Sequence, residues 1–118
     1  MAHELSGTVL VTGGSSGLGA AVVTAVSDAG ATPVVLDVRP PAAGIAYEQV
    51  DLADSKDAEE AVRRVADAHG GLRAVVTCAG IDVPGALADV PTETWERIVA
   101  VNLLGTVAVV RAALSWLE

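Results

Sequence analysis

"VTGGSSGLGAAV", residues 11–22, sets four glycines and two serines between a β-branched run and a helical pattern. Upstream, Thr8–Thr12 reads as a buried strand. Downstream, Leu18, Ala21, Val22, Ala25, Val26 and Ala29 recur at helical spacing, with Gly30 as the stop. A strand that ends in bare backbone and opens a helix suits an anion. The first-turn N–H groups lack partners and carry partial positive charge, while glycines let the chain turn tightly and approach a phosphate. Ser15 and Ser16 add hydroxyl donors beside Gly13, Gly17, Leu18 and Gly19.

The pattern outward from this turn alternates. Thr32–Asp37 is a second strand and Ala46–Val50 a short third, joined by the Pro/Gly loop "RPPAAG" at 39–44. Asp54 or Ser55 caps a helix whose apolar face is Ala58, Ala61, Val62 and Val65. Its outer face pairs Glu59 with Arg63 and Glu60 with Arg64 at i, i+4. "LRAVVTCAG" (72–80) is a fourth strand, and a long helix runs from Thr92, after Pro91, to about Leu117. No repeat or linker divides the chain, so residues 1–118 form one domain. Strands alternating with helices, in mostly continuous apolar runs, predict an α/β fold. The expected architecture is a Rossmann-like, doubly wound parallel sheet truncated at about four strands.

Composition narrows the function. The chain is 52% hydrophobic, has no Phe, and draws its apolar mass from Val, Ala and Leu. A formal charge of −8 argues against nucleic acid and anionic membrane surfaces, both of which require a basic face. One cysteine, Cys78, leaves no internal disulfide and no multi-cysteine metal site, so no metal is expected. "MAHELSG" does not read as a secretory signal. The apolar run 98–110 is short for a bilayer and carries Asn102 and Thr106, so no membrane span is expected and a cytoplasmic location is.

Asp37 ends the second strand, 18 residues after Gly19. A carboxylate there can accept hydrogen bonds from both ribose hydroxyls of a dinucleotide and repels a 2′-phosphate. A P-loop is excluded because no Gly-Lys-Ser/Thr follows the turn.

"TGGSSGLG" (12–19) follows the pattern Thr-Gly-x-x-x-Gly-x-Gly and resembles the nucleotide loop of the short-chain dehydrogenase/reductase family. Three further stretches resemble that family in order and spacing: "DL" at 51–52, "CAG" at 78–80 and "VNLLG" at 101–105. The resemblance implies that Gly13–Gly19 hold a pyrophosphate and Asp37 the adenosine ribose. It implies further that Asp51 bonds the adenine amino group beside the backbone of Leu52, and that Ala79 and Gly80 floor the nicotinamide ribose. Gly14 and Val38 stand where NADP-preferring members carry a basic residue, which indicates NAD, although Arg39 lies one residue further on. Cys78 replaces the asparagine of the usual Asn-Ala-Gly, so the sheet centre is expected to lose a brace.

Asn102 shares a helix face with Trp95 and Val109, which points it inward, where a buried amide needs partners. The residues alone suggest a structural bond to a neighbouring strand; the resemblance implies a catalytic role, ordering a water in a proton relay. The family's serine and its tyrosine–lysine pair, four residues apart, have no counterpart. Tyr47 and Lys56 are the only residues of their kinds, nine apart, and Ser115 closes the last helix. His3 and His69 sit at the terminus and at a helix end, and neither is assigned a catalytic part.

The expectation is therefore a NAD-binding half of a short-chain oxidoreductase, acting on an alcohol/carbonyl substrate and inactive alone. The fourth strand is expected to leave an open apolar edge. Completion would come from a missing carboxyl-terminal half or by homo-oligomer formation. A non-catalytic NAD-binding module, or a truncated piece that works only by assembly, are the other readings.

Overall fold

The computed structural model describes residues 4–117, so His3 lies outside the described part. Four parallel strands, β1 (Thr8–Thr12), β2 (Thr32–Asp37), β3 (Ala46–Gln49) and β4 (Ala74–Thr77), form one sheet in the order β3-β2-β1-β4. This is the α/β, Rossmann-like half-sheet that the alternating pattern predicts.

Period-two alternation on β1 decides which side chain meets which helix. Leu10 joins Val34 and Leu36 in a core with α2 (Ser55–His69) and α4 (Gly105–Ala113). Val9 and Val11 point the other way and join Val35 under α1 (Gly17–Asp28). A strand buried on both faces has no polar side to show, hence the unbroken TVLVT.

α1 seats itself differently from its apolar spacing. Gly19, Val23 and Val26 face the sheet, whereas Leu18, Ala21 and Ala25 are exposed. The cause is at its first turn, where a Cβ on Gly19 would collide with the Gly13 carbonyl. That contact fixes the helix rotation, and residues i, i+4 and i+7 from Gly19 follow inward. α2 matches its expected face, is capped by Asp54, which accepts from the Asp57 N–H at 3.0 Å, and stops at Gly70 with φ +73°. Glu59 and Arg63 pair at 3.1 Å as expected, but Arg64 reaches Glu48 of β3 at 2.9 Å instead of Glu60.

The last helix is not one regular helix. α3 (Thr92–Val99) passes through a π segment, Ala100–Leu104, into α4, and a 3₁₀ turn, Leu114–Trp116, closes it. A π turn puts an extra residue into one helical turn and marks a local demand on position. Gly105 follows it directly, where a Cβ would lie 2.8 Å from the Leu52 carbonyl, so α4 crosses the segment between β3 and α2 at backbone distance. Thr92–Trp116 as a whole is long and apolar enough to cross a membrane by length and composition, a test that a core helix also passes. Here it packs Val101, Ala108, Val109, Ala112 and Ala113 into the protein. Leu103, Val107 and Leu114 on its other face are exposed. β4 pairs only with β1, and among the described residues no strand pairs with its other edge.

Candidate functional site

A cleft of about 420 Å³ opens at the carboxyl ends of β1, β2 and β4, the position where parallel sheets of this kind take ligands. One wall is the glycine turn. Gly13 and Gly17 take left-handed backbone, φ +67° and +55°. A Cβ on Gly13 would stand 2.7 Å from the Ala79 Cα, so only glycine lets the turn lie against the strand exit after β4. Ser16 is the N-cap of α1 in extended conformation and makes no side-chain cap bond. The first N–H groups of the helix therefore face the cleft without a side-chain acceptor.

Asp37 closes the wall beside the turn. Its Oδ2 accepts from the Ser15 N–H and its Oδ1 from the Arg39 N–H, each at 3.1 Å. These bonds aim the carboxylate while leaving acceptor positions on both oxygens. The structure brings Gly13, Ser16, Gly17, Leu18 and Gly19 into this cleft together with Asp37, Asp51, Leu52, Ala79 and Gly80. Ser15 is the exception. Its hydroxyl donates to the Arg39 carbonyl at 2.7 Å and it lines a separate groove behind the turn, so it ties the turn to β2 rather than facing an anion.

Asp51 sits at the far end, where two features escaped the sequence. Its Oδ1 accepts from the Ala53 N–H at 3.0 Å, and Arg97 of α3 grips both oxygens, Nη1 to Oδ2 at 3.1 Å and Nη2 to Oδ1 at 3.3 Å. The Ala53 N–H holds the Asp51 carboxyl below the ordinary carboxylate value; partial burial opposes this and Arg97 adds to it. A contact between residues 46 apart leaves no periodic trace in a sequence.

The floor is braced in an unexpected way. The Thr12 hydroxyl, buried at the end of β1, accepts from the N–H groups of Cys78 at 3.1 Å and Ala79 at 3.2 Å. Thr12 thus ties the floor at the very strand exit where Cys78 replaces asparagine.

Asn102 is exposed, contrary to the inward placement that its seven-residue spacing predicts. The π segment shifts the helical phase at this residue, and no strand beyond β4 covers it among the described residues. Its amide clamps one backbone unit: Oδ1 accepts from the Ile81 N–H at 2.8 Å, and Nδ2 donates to the Ile81 carbonyl at 2.9 Å. This is the structural bond to the segment after the fourth strand. The Thr106 hydroxyl donates to the Asn102 carbonyl at 3.0 Å.

Tyr47, Lys56, His69 and Ser115 lie outside the cleft. Among the described residues no group of three or more His, Cys, Asp or Glu side chains is placed to hold a metal.

The family model described as "short chain dehydrogenase" matches residues 7–118. The chain belongs to the short-chain dehydrogenase family. Among curated members, 2,5-dichloro-2,5-cyclohexadiene-1,4-diol dehydrogenase LinX of Sphingobium indicum is 33% identical over 130 residues, covering 99% of this chain and 52% of that protein. L-fucose dehydrogenase of Mus musculus is 37% identical over 123 residues, covering 93% of this chain and 44% of its own. Among solved structures, ligand-free aldohexose dehydrogenase of Thermoplasma acidophilum superposes with a TM-score of 0.89 at 25% identity, over 95% of this chain and 44% of that one. A short-chain dehydrogenase of Leptospira borgpetersenii, solved with bound NAD+, gives 0.85 at 24% identity, over 96% of this chain and 46% of that one. The chain thus spans about half the length of these short-chain dehydrogenases.

Proposed function

We propose that this chain is the dinucleotide-binding half of a short-chain oxidoreductase that uses NAD(H) to interconvert an alcohol and a carbonyl. The observation that carries the reading is the pairing of an uncapped α1 amino terminus with a pre-aimed Asp37 across one cleft. The donors suit a pyrophosphate and the acid suits a ribose diol, and Gly13 and Gly19 give the backbone the close approach that a Cβ would fill.

In this reading Gly13, Ser16, Gly17, Leu18 and Gly19 hold the pyrophosphate, with Ser15 orienting the turn from behind. Asp37 takes the adenosine ribose, Asp51 and Leu52 the adenine, and Ala79 and Gly80 the nicotinamide ribose. Asp37 favours NAD over NADP by charge. The bound nicotinamide supplies the hydride acceptor or donor. Asn102 holds Ile81 at the rim of the cleft, and its proposed catalytic part is to order a water in a proton relay. Among the described residues no His, Tyr or Lys side chain lines the cleft, so turnover is proposed to need a serine and a tyrosine–lysine pair from elsewhere. They would come from a carboxyl-terminal half or from a partner seated along β4. A homo-oligomer and a cytoplasmic setting complete the proposal, with neither nucleic acid nor membrane as partner.

Calorimetric titration of the 118-residue chain with NAD and NADP tests it. The expected result is NAD binding that Asp37→Ala weakens about tenfold, the scale of one charge-assisted hydrogen bond. No dehydrogenase activity is expected until the second half is added. Absence of binding at millimolar NAD refutes the reading. Turnover by the chain alone refutes the need for a second half. The reading as an NAD-binding module without turnover gains if binding is seen and no added segment restores activity.

A further inference from the structure

β4 ends the sheet, and among the described residues no strand lies along its far edge. Its ladder with β1 fixes which backbone groups face that edge. Cys78 donates its N–H to the Thr12 carbonyl at 3.1 Å, and Thr12 stands opposite Thr77. Backbone groups alternate sides along a paired strand. Ala74, Val76 and Cys78 therefore bond towards β1, while the N–H and C=O groups of Val75 and Thr77 point away from it. The segment AVVT carries neither charge nor proline to blunt this edge. Side chains alternate between the two faces of the sheet. Val75 packs against the core with α2 and α4, and Ala74 and Val76 against the core beneath α1.

We propose that a second copy of this chain pairs antiparallel with β4, joining two four-stranded sheets edge to edge into one. The pairing rests on the proposed homo-oligomer and deepens it by naming its interface; it needs no dinucleotide. Identical edges meet about a two-fold axis, and a two-fold perpendicular to the sheet reverses the strand direction. Centred on Val76, the axis sets Val75 of each copy opposite Thr77 of the other, as pairs that exchange both N–H···O bonds. Every outward group of the strand is then satisfied. Centred on Val75, it would set Thr77 against Arg73, whose N–H already goes to the Thr8 carbonyl at 2.7 Å. Centred on Thr77, it would set Val75 against Ala79, whose N–H already goes to the Thr12 hydroxyl at 3.2 Å. The side chains agree with the first choice, since Val76 meets its own counterpart across the axis and small Ala74 meets Cys78. Charge points to a copy as the occupant. At −8, two chains repel unless they meet where acid is absent. Residues 72–81 hold no Asp or Glu, and neither do residues 97–117, where exposed Leu103, Val107, Val110 and Leu114 form an uncharged stripe. A basic partner would be drawn to the acidic faces elsewhere, whereas a copy needs only the edge that it brings itself.

The test is sedimentation equilibrium of the 118-residue chain, with a concentration-dependent monomer–dimer equilibrium expected. Two variants read the interface, and neither Val76 nor Thr77 lines the cleft. Thr77→Pro removes an outward N–H that the ladder with β1 does not use, and strand edges tolerate proline. One interchain bond per copy is lost, so the dimer dissociation constant is expected to rise at least about tenfold. Val76→Cys, in a Cys78→Ser background, is expected to form a disulfide-linked dimer under oxidised glutathione, because residues opposite each other across an antiparallel pair lie within disulfide reach. The wild-type chain is expected to stay unlinked, since its Cys78 faces Ala74 of the other copy. Val76→Cys carries the test if Thr77→Pro loses its far-ultraviolet circular dichroism.

A monomer at every concentration overturns the pairing and the proposed homo-oligomer with it, and leaves the dinucleotide reading intact. A dimer that Thr77→Pro does not weaken and Val76→Cys does not link overturns the pairing alone, because the copies then meet elsewhere. Weakening by Thr77→Pro without a link at position 76 places the axis away from Val76, and that also overturns the proposal.

Discussion

Gly13→Ala separates two demands that the glycine turn makes at once. Gly13 combines a φ of +67° with a site where a new Cβ meets the Ala79 Cα at 2.7 Å, the Ala79 nitrogen at 2.8 Å and the Cys78 carbonyl carbon at 3.0 Å. All three are backbone atoms, pinned by the Thr12 hydroxyl, so no side chain can swing away. Gly17 is the internal control, with a φ of +55° and nothing within 4 Å of its added Cβ. Left-handed backbone costs an L-residue about 1–2 kcal/mol, which both variants share. Forcing a methyl against fixed backbone adds about 1–3 kcal/mol at Gly13 only. Gly13→Ala is therefore expected to lose about 2–5 kcal/mol in all, and Gly17→Ala about 1–2 kcal/mol. A 118-residue domain has roughly 6–18 kcal/mol to lose from. Urea unfolding followed by far-ultraviolet circular dichroism reads both; the Gly13 variant should fall by roughly 1 M or more in midpoint. Equal losses at the two positions would show that conformation alone, not the approach of the turn to β4, requires Gly13.

Two further outcomes follow from the hydrogen bonds around the cleft. Thr12→Val keeps the shape but removes the acceptor that Ala79 uses, while Cys78 retains its bond to the Thr12 carbonyl at 3.1 Å; a loss of about 1–3 kcal/mol in urea unfolding is expected, recovered by Thr12→Ser. Asp51 has a folded carboxyl below its ordinary 3.8, so the folded chain binds this proton less readily than the unfolded one. Its contribution is present above that value and fades as pH falls through the folded one. Melting temperature should therefore drop less steeply with acid in Asp51→Asn than in the wild type. The difference should largely survive added salt, because the leading cause is the Ala53 N–H and not the screened Arg97 charge.

How much of this was legible in the sequence depended on range. The strands, their parallel direction and the glycine turn rest on contiguous runs and on spacings of a few residues, and the structure reproduces them. α1 was recognised as a helix but its face only in part: Val26 is buried and Val22 and Ala29 half-buried as expected, whereas Leu18, Ala21 and Ala25 are exposed. Its rotation is set by the contact of Gly19 with the Gly13 carbonyl, and Ala and Val repeat so densely there that periodicity selects no single stripe. The long helix was found, but not its π segment, because no residue type marks an extra residue in one turn. That shift is what brings Asn102 out of the interior and onto Ile81. The Arg97–Asp51 ion pair and the Thr12 brace link elements far apart in the chain, and only the assembled sheet shows them.

The open parts of the molecule share one side. Among the described residues β4 pairs on one edge only, and its exit, Cys78 to Ile81, forms the cleft wall beyond the glycine turn. Asn102, exposed, fastens Ile81 on that same flank, and the π segment carries exposed Leu103 and Leu104 beside it. An unpaired central-type strand is an association hazard that natural sheets cover. A strand laid against β4 would extend the sheet at the end of the cleft where the nicotinamide is proposed to lie, and it would cover Asn102 in the same step. One event would then supply the missing sheet partner, bury the amide that the sequence predicts to be buried, and place new side chains beside the reacting carbon. In this arrangement completing the fold and completing the proposed active site are the same step, in a chain that spans about half of its relatives' length and has its cleft at the open edge of the sheet.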